Sequence, residues 1–154
     1  MMQIRFLLIS LLLLLSLSCK NKTDIDRVKA SMNSPIVSQS FYNNGNESEI
    51  IYEIDSLDTV KKERYTMVIY SFYENGKIKE IENEGIFNGF HVPMGTRYKY
   101  SSDGKLIQKI YYNNDDFGKD FILFEYYDNN EKLIKTEKYN NYILYETEPK
   151  LIKN

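Results

Sequence analysis

Three short turn segments recur at even spacing, and they constrain the fold of this chain more than any other feature. Tyr73-Glu74-Asn75-Gly76-Lys77-Ile78 is the first. Tyr100-Ser101-Ser102-Asp103-Gly104-Lys105-Leu106 is the second, one residue longer. Tyr127-Asp128-Asn129-Asn130-Glu131-Lys132-Leu133 is the third, with Asn130 where a glycine would stand. The leading tyrosines are 27 residues apart in both steps. Asn75-Gly76 and Asp103-Gly104 supply the positive φ of a tight hairpin turn, and Asn129-Asn130 is expected to do the same, since Asn tolerates that conformation better than most residues.

The segments between the turns read as strands. Ile50 to Ile54, Tyr65 to Tyr73, Lys77 to Glu82, Thr96 to Tyr100, Leu106 to Tyr112, Phe121 to Tyr127 and Leu133 to Tyr139 are short, aromatic or β-branched runs. From residue 48 onward no window carries a sustained apolar stripe of helical period. Looser turns at Asn88-Gly89, Asp115 to Lys119 and Asn140-Asn141 alternate with the tight ones. A unit of strand, tight turn, strand and looser loop pairs each strand with its neighbour in sequence. The expected fold is therefore all-β: repetitive antiparallel hairpins in a single twisted sheet. Composition agrees. The chain has 14 Tyr and 8 Phe but no Trp, and every Tyr lies between Tyr42 and Tyr145. Tyr suits strands and combines an apolar ring with a wet hydroxyl, which favours a thin, half-exposed sheet over a thick oily core.

The N-terminus has a different character. Arg5 is followed by an apolar run from Phe6 to Leu15 broken only by Ser10, then Ser16-Leu17-Ser18-Cys19 and the polar Lys20-Asn21-Lys22. A basic start, a short apolar stretch and small residues before a cut are the layout of a secretory signal. The run is well short of the roughly 20 residues that span a bilayer. The chain's single cysteine, Cys19, cannot form a disulfide within the chain and sits where a lipoprotein signal peptidase would leave it as the new first residue. The segment resembles a bacterial lipobox, with Ser18 before the cut, although Ser16 stands where an aliphatic residue is usual. The expectation is a signal peptide over residues 1–18, a lipid on Cys19 and a place in the bacterial cell envelope. Residues 19–47 are then the lipidated end and a polar tether, 48–147 the hairpin domain and 148–154 a tail. Within the tether, Ile25, Val28 and Met32 share a helical face, so a short helix over Asp24 to Met32 is compatible with the sequence. Residues 48–64 fit the repeat poorly and read as a capping hairpin around Asp55 to Glu63.

Tyr-x-Asn-Gly-Lys-Ile/Leu followed by a strand, a Gly-containing loop and another aromatic strand resembles the MORN-repeat variant of YwqK-type antitoxin proteins. The likeness covers about residues 65–142 and is carried by the hairpins; residues 88–95 (Asn-Gly-Phe-His-Val-Pro-Met-Gly) depart from it. The resemblance implies a repeat architecture and a protein-binding or surface-binding role, with immunity or antitoxin activity as its sharper form. It brings no catalytic site.

Catalytic chemistry has little to draw on. His91 is the only histidine, the only cysteine is at the anchor, and no Gly-x-Ser-x-Gly elbow occurs. One histidine without a usable cysteine does not make a zinc site. Asn113 to Asp120 is rich in oxygen ligands, but aligning Gly118 with the sixth position of a calcium loop puts Phe117 on a ligand position. Glu80, Glu82 and Glu84 alternate along one strand, about 7 Å apart on one face, which is compatible with a glycosidase pair yet equally with a water-facing row. No cofactor or metal is expected. The formal net charge of −2, one unit lower once Arg5 leaves with the signal, gives no footprint for nucleic acid. Tyr98, Tyr100, Tyr112, Tyr127 and Tyr139 are the candidate binding surface, for a protein or, alternatively, a glycan. The same rings also serve as cross-strand packing partners. A hydrolase ranks last.

Overall fold

The computed structural model describes residues 30–58, 63–87, 89–114, 120–140 and 150–151. Cys19, the signal segment, most of the candidate helix and most of the oxygen-rich loop (115–119) lie outside them. The described residues form one open antiparallel sheet. Its strands are β1 (Ile36–Phe41), β2 (Glu47–Asp58), β3 (Glu63–Phe72), β4 (Ile78–Phe87), β5 (Phe90–Pro93), β6 (Gly95–Tyr100), β7 (Leu106–Asn113), β8 (Phe121–Tyr127), β9 (Leu133–Asn140) and β10 (Lys150–Leu151). They pair in chain order, except that β5 and β6 both pair with the long β4. Sequential hairpins are what the alternating turn signals require, and the all-β expectation holds.

Four tight turns, not three, define the repeat. They open at Tyr42, Tyr73, Ser101 and Asp128, and each closes with the same two backbone bonds. The opening N–H donates to the carbonyl four residues on, as in Tyr73 to Lys77 (2.8 Å), and the fourth residue's N–H donates back, as in Gly76 to Tyr73 (2.9 Å). The fourth residue carries positive φ at Gly45, Gly76, Gly104 and Glu131. In the last turn, then, Glu131 and not Asn130 takes the left-handed position. The three turns first recognised are also equal in length. The apparent extra residue arises because Tyr73 opens its turn, whereas Tyr100 and Tyr127 precede theirs.

The first turn and β1 fall in residues 36–46, where a tether was expected. Ile36, Val37 and Phe41 supply the β propensity, but all six β1 residues are exposed, so no buried stripe marks the strand in the sequence. The hairpin of β2 and β3 is an interior member of the sheet, with β1 outside it. Residues 30–34 form a turn closed by Asn33 to Ala30 (3.2 Å) and Ser34 to Ser31 (2.8 Å). The irregular segment after Gly89 is also strand. Phe87 pairs with Phe90 as β5 folds back on β4, and Asn83 bridges the break to β6, accepting from Met94 N (2.9 Å) and donating to Thr96 O (3.0 Å).

Directly opposed residues share a face, so the register sorts the side chains. One row runs Ile50, Tyr70, Ile81, Tyr98, Lys109, Glu125, Thr136. On this first face Val68, Tyr70, Ile81 and Tyr98 form the core cluster, with Tyr52, Ile54, Phe72 and Tyr100 against it. Each such side chain contributes on the order of 1.5–3 kcal/mol by leaving water. The opposite face is charged over β2–β6, with Glu49, Glu80 and Lys99 in one row, and becomes apolar over β7–β9, where Ile110, Phe124 and Tyr139 lie. The apolar side therefore changes faces midway along the sheet.

Candidate functional site

On the first face, where the core gives way to polar residues, β6, β7 and β8 enclose an open cavity of about 260 Å³ lined by Thr96, Tyr98, Lys109, Tyr111, Leu123 and Glu125. Register builds it: Tyr98 stands opposite Lys109 and Lys109 opposite Glu125, while Thr96 stands opposite Tyr111 and Tyr111 opposite Leu123. Tyr127 flanks the site. Its hydroxyl donates to Glu125 Oε2 (2.6 Å), and the Lys109 ammonium lies 5.3 Å from its ring centroid. Burial, reinforced by the Glu125 carboxylate, pushes the Tyr127 phenol up to about 12. Tyr100 packs on the neighbouring core, and its carbonyl accepts from the Tyr73 hydroxyl (2.8 Å). Burial, with Glu131 nearby, also raises the Tyr100 phenol. The result is a shelf of aromatic rings, held by its own hydrogen bonds, with one cation and one anion at the centre. Such a shelf can bind and orient a partner.

The five tyrosines singled out in the sequence do not form one surface. Tyr98, Tyr100 and Tyr127 come together here, but Tyr98 is 8 % exposed and acts as the floor. Tyr112 and Tyr139 occupy the opposite face. Tyr112 is buried, its phenol raised by that burial and hydrogen-bonded to Arg97, and Tyr139 packs edge-on against Phe124 at 5.6 Å. Tyr111, and not its neighbour Tyr112, faces the cavity. A bulge follows each tight turn, with Ile107 and Ile134 as the extra residues on β7 and β9, and it resets the parity that simple alternation predicts. Lys109, Leu123 and Glu125 were legible only as alternating members of their strands.

The remaining candidates have plainer surroundings. His91 lies on β5 and is exposed, opposite Ile86. The turn residues Asn75, Gly76, Asp103, Gly104, Asn129 and Asn130 all lie in tight turns, at the sheet's turn edge. Glu80, Glu82 and Glu84 do share a face, but Glu80 and Glu82 are ion-paired to Arg97, the latter at 3.2 Å, with side chains only 15 % and 16 % exposed. This is a half-buried charge cluster and not a water-facing row. Burial, with Glu84 as a like charge, raises the Glu82 carboxyl above the usual range, and burial lowers Lys99. Among the described residues no three His, Cys, Asp or Glu side chains converge as metal ligands, and no helix is long and apolar enough to cross a membrane. Comparison with family models, curated proteins and solved structures finds no match.

Proposed function

We propose that this chain is a non-enzymatic binding module of the bacterial cell envelope, held by a lipid on Cys19, that engages a protein through the tyrosine shelf of β6–β8. The shelf carries the reading. Tyr98, Tyr100, Tyr111 and Tyr127 offer rigid aromatic area of the kind enriched at interface centres, and Lys109 and Glu125 add charge that sets register. The hairpin resemblance to YwqK-type proteins supports the same class and makes an immunity or antitoxin role its sharper form. The anchor rests on the sequence around Cys19.

The test is affinity capture with the tagged full chain from envelope and lysate of the producing cell, read by mass spectrometry. Wild type is expected to retain one stoichiometric protein, and the pair Tyr111→Ser and Tyr127→Ser to lose it by roughly ten-fold or more with folding intact, as removal of an interface centre does. Retention by the double variant moves the site elsewhere. A second reading, glycan binding, draws on the same open cavity with aromatic walls; saturable polysaccharide binding with no protein captured would select it.

A further inference from the structure

The four turns are stacked along one edge of the sheet; the first hands hydrogen-bond donors to the second and the second to the third, while Leu106 N, just after the third, donates to Glu131 of the fourth (2.9 Å). Tyr42 and Tyr73, which open their turns, donate to the carbonyls of Phe72 (2.7 Å) and Tyr100 (2.8 Å), each just before the following turn. Asn44 and Asn75, two residues later, donate to Glu74 O (3.1 Å) and Ser102 O (2.9 Å). The Lys77 ammonium donates to Asp103 O (2.8 Å). Strand register between repeats is equally regular. Glu49, Glu80 and Gln108, each seventh after the opening of its turn, pair with Ser71, Lys99 and Tyr126, each second before the opening of the next.

The last turn retains part of this donor equipment, with Asp128 in the place of the donating tyrosines. Asn130 and Lys132 occupy the places of Asn75 and Lys77, and no further turn follows among the described residues. The first turn presents the Phe41 and Asn43 carbonyls, with no described turn before it. Among the described residues both sheet edges are also open. β10 pairs with β9 only at Tyr139 and Asn140, which leaves the outer backbone edge of Leu133 to Lys138. β1 is the opposite terminal strand, carries no charge and is exposed throughout. Edge strands are normally guarded by Lys or Pro; β9 carries Lys135 and Lys138, whereas β1 is unguarded and so a template for pairing. Carried on by the same rule, the register sets Lys135 against Ser40 and Thr136 against Gln39, with Ile134 (63 % exposed) and Phe41 (58 % exposed) just outside the matched stretch. The bulge at Val37 ends the matched stretch at Ser38. No like charges face each other across it.

We infer that copies of this chain add head to tail, the β9 edge of one pairing antiparallel with the β1 edge of the next and the last turn donating to the first turn of that copy. This does not depend on the tyrosine shelf. The contact is heterologous, so it continues copy after copy and is not completed in a dimer. A strand pair this short is small against the roughly 1,200 Å² of a stable complex, so the association is reversible and is best trapped covalently.

The experiment uses the full chain in the producing cell with a short bismaleimide. Ser40→Cys and Lys135→Cys are placed on differently tagged copies, and unsubstituted copies give the background from Cys19. The mixed pair is expected to form a cross-linked dimer and a chain with both substitutions a ladder. Ile134→Asp in that chain is expected to reduce the ladder roughly ten-fold, because a charge blocks an edge. The inference is overturned by cross-linking of Ser40→Cys copies to one another as strongly as in the mixed pair, or by a ladder indifferent to Ile134→Asp. Absence of product from variants as protease-resistant as wild type also overturns it.

Discussion

Single residues show where this thin sheet has no slack. Gly85 lies on β4, where it crosses closely behind Arg64, and a Cβ there collides with the Arg64 carbonyl oxygen and with Sδ of the fully buried Met94. The backbone oxygen cannot swing aside as a side chain would. Gly85→Ala is expected to destabilise the fold by about 1–3 kcal/mol, the range for overpacking, read as a lower urea midpoint at unchanged slope. Gly85 is unremarkable in the sequence, because its constraint is a contact and not a turn. Glu131 is the reverse case. Its left-handed φ of 58° is unfavourable for a side chain, and its carboxylate accepts from Leu106 N (2.9 Å) in the preceding hairpin. The offset of Gly76 from Tyr73 places the glycine equivalent at Asn130; the hydrogen-bond pattern, like the offset of Gly104 from Tyr100, places it at Glu131.

At the scale of elements, the ladder of turns adds to strand pairing in locking hairpin to hairpin. Asn75 accepts from Lys77 N (3.1 Å) to shape its own turn while donating to Ser102 O in the next, so one side chain serves two hairpins. The tyrosine rungs are half-buried and lack easy replacement by water. Tyr73→Phe is expected to cost about 1 kcal/mol, the net value of such a bond, with Tyr42→Phe similar. The two rungs share no partner, so the double variant is expected to lose nearly the sum, about 2 kcal/mol, in equilibrium unfolding. A strongly sub-additive result would mean that the ladder does not act rung by rung. The rungs join residues about one repeat apart, and their partners are backbone carbonyls without sequence identity. The repeat was legible from the Asn-Gly and Asp-Gly pairs, but the rungs were not.

For the whole molecule, open topology governs behaviour. Strands pair in chain order, so the sheet has two ends, and no second layer lies among the described residues to cover both faces. A lipid on Cys19 would hold such a sheet at a surface and concentrate it there. Cys19→Ala is expected to abolish incorporation of labelled fatty acid and move the chain out of the membrane fraction. Wild type without label would refute the anchor.

What the sequence determined by itself is local: tight turns, strand-forming runs between them and, from their order, an antiparallel meander. Those follow from φ preferences and side-chain shape within a few residues. Tertiary structure decided which neighbours meet. β1 joined the sheet without an apolar stripe, because pairing with β2 and the first turn supply its stabilisation. The bulge after each turn, at Ile107 and Ile134, set Tyr111 on the face of Tyr98 and Tyr127 and sent Tyr112 and Tyr139 to the other. Arg97 drew Glu80 and Glu82 out of water by offering a partner across the register. Each outcome depends on the phase between strands, a one-residue difference that turns every side chain over and that local propensity does not encode.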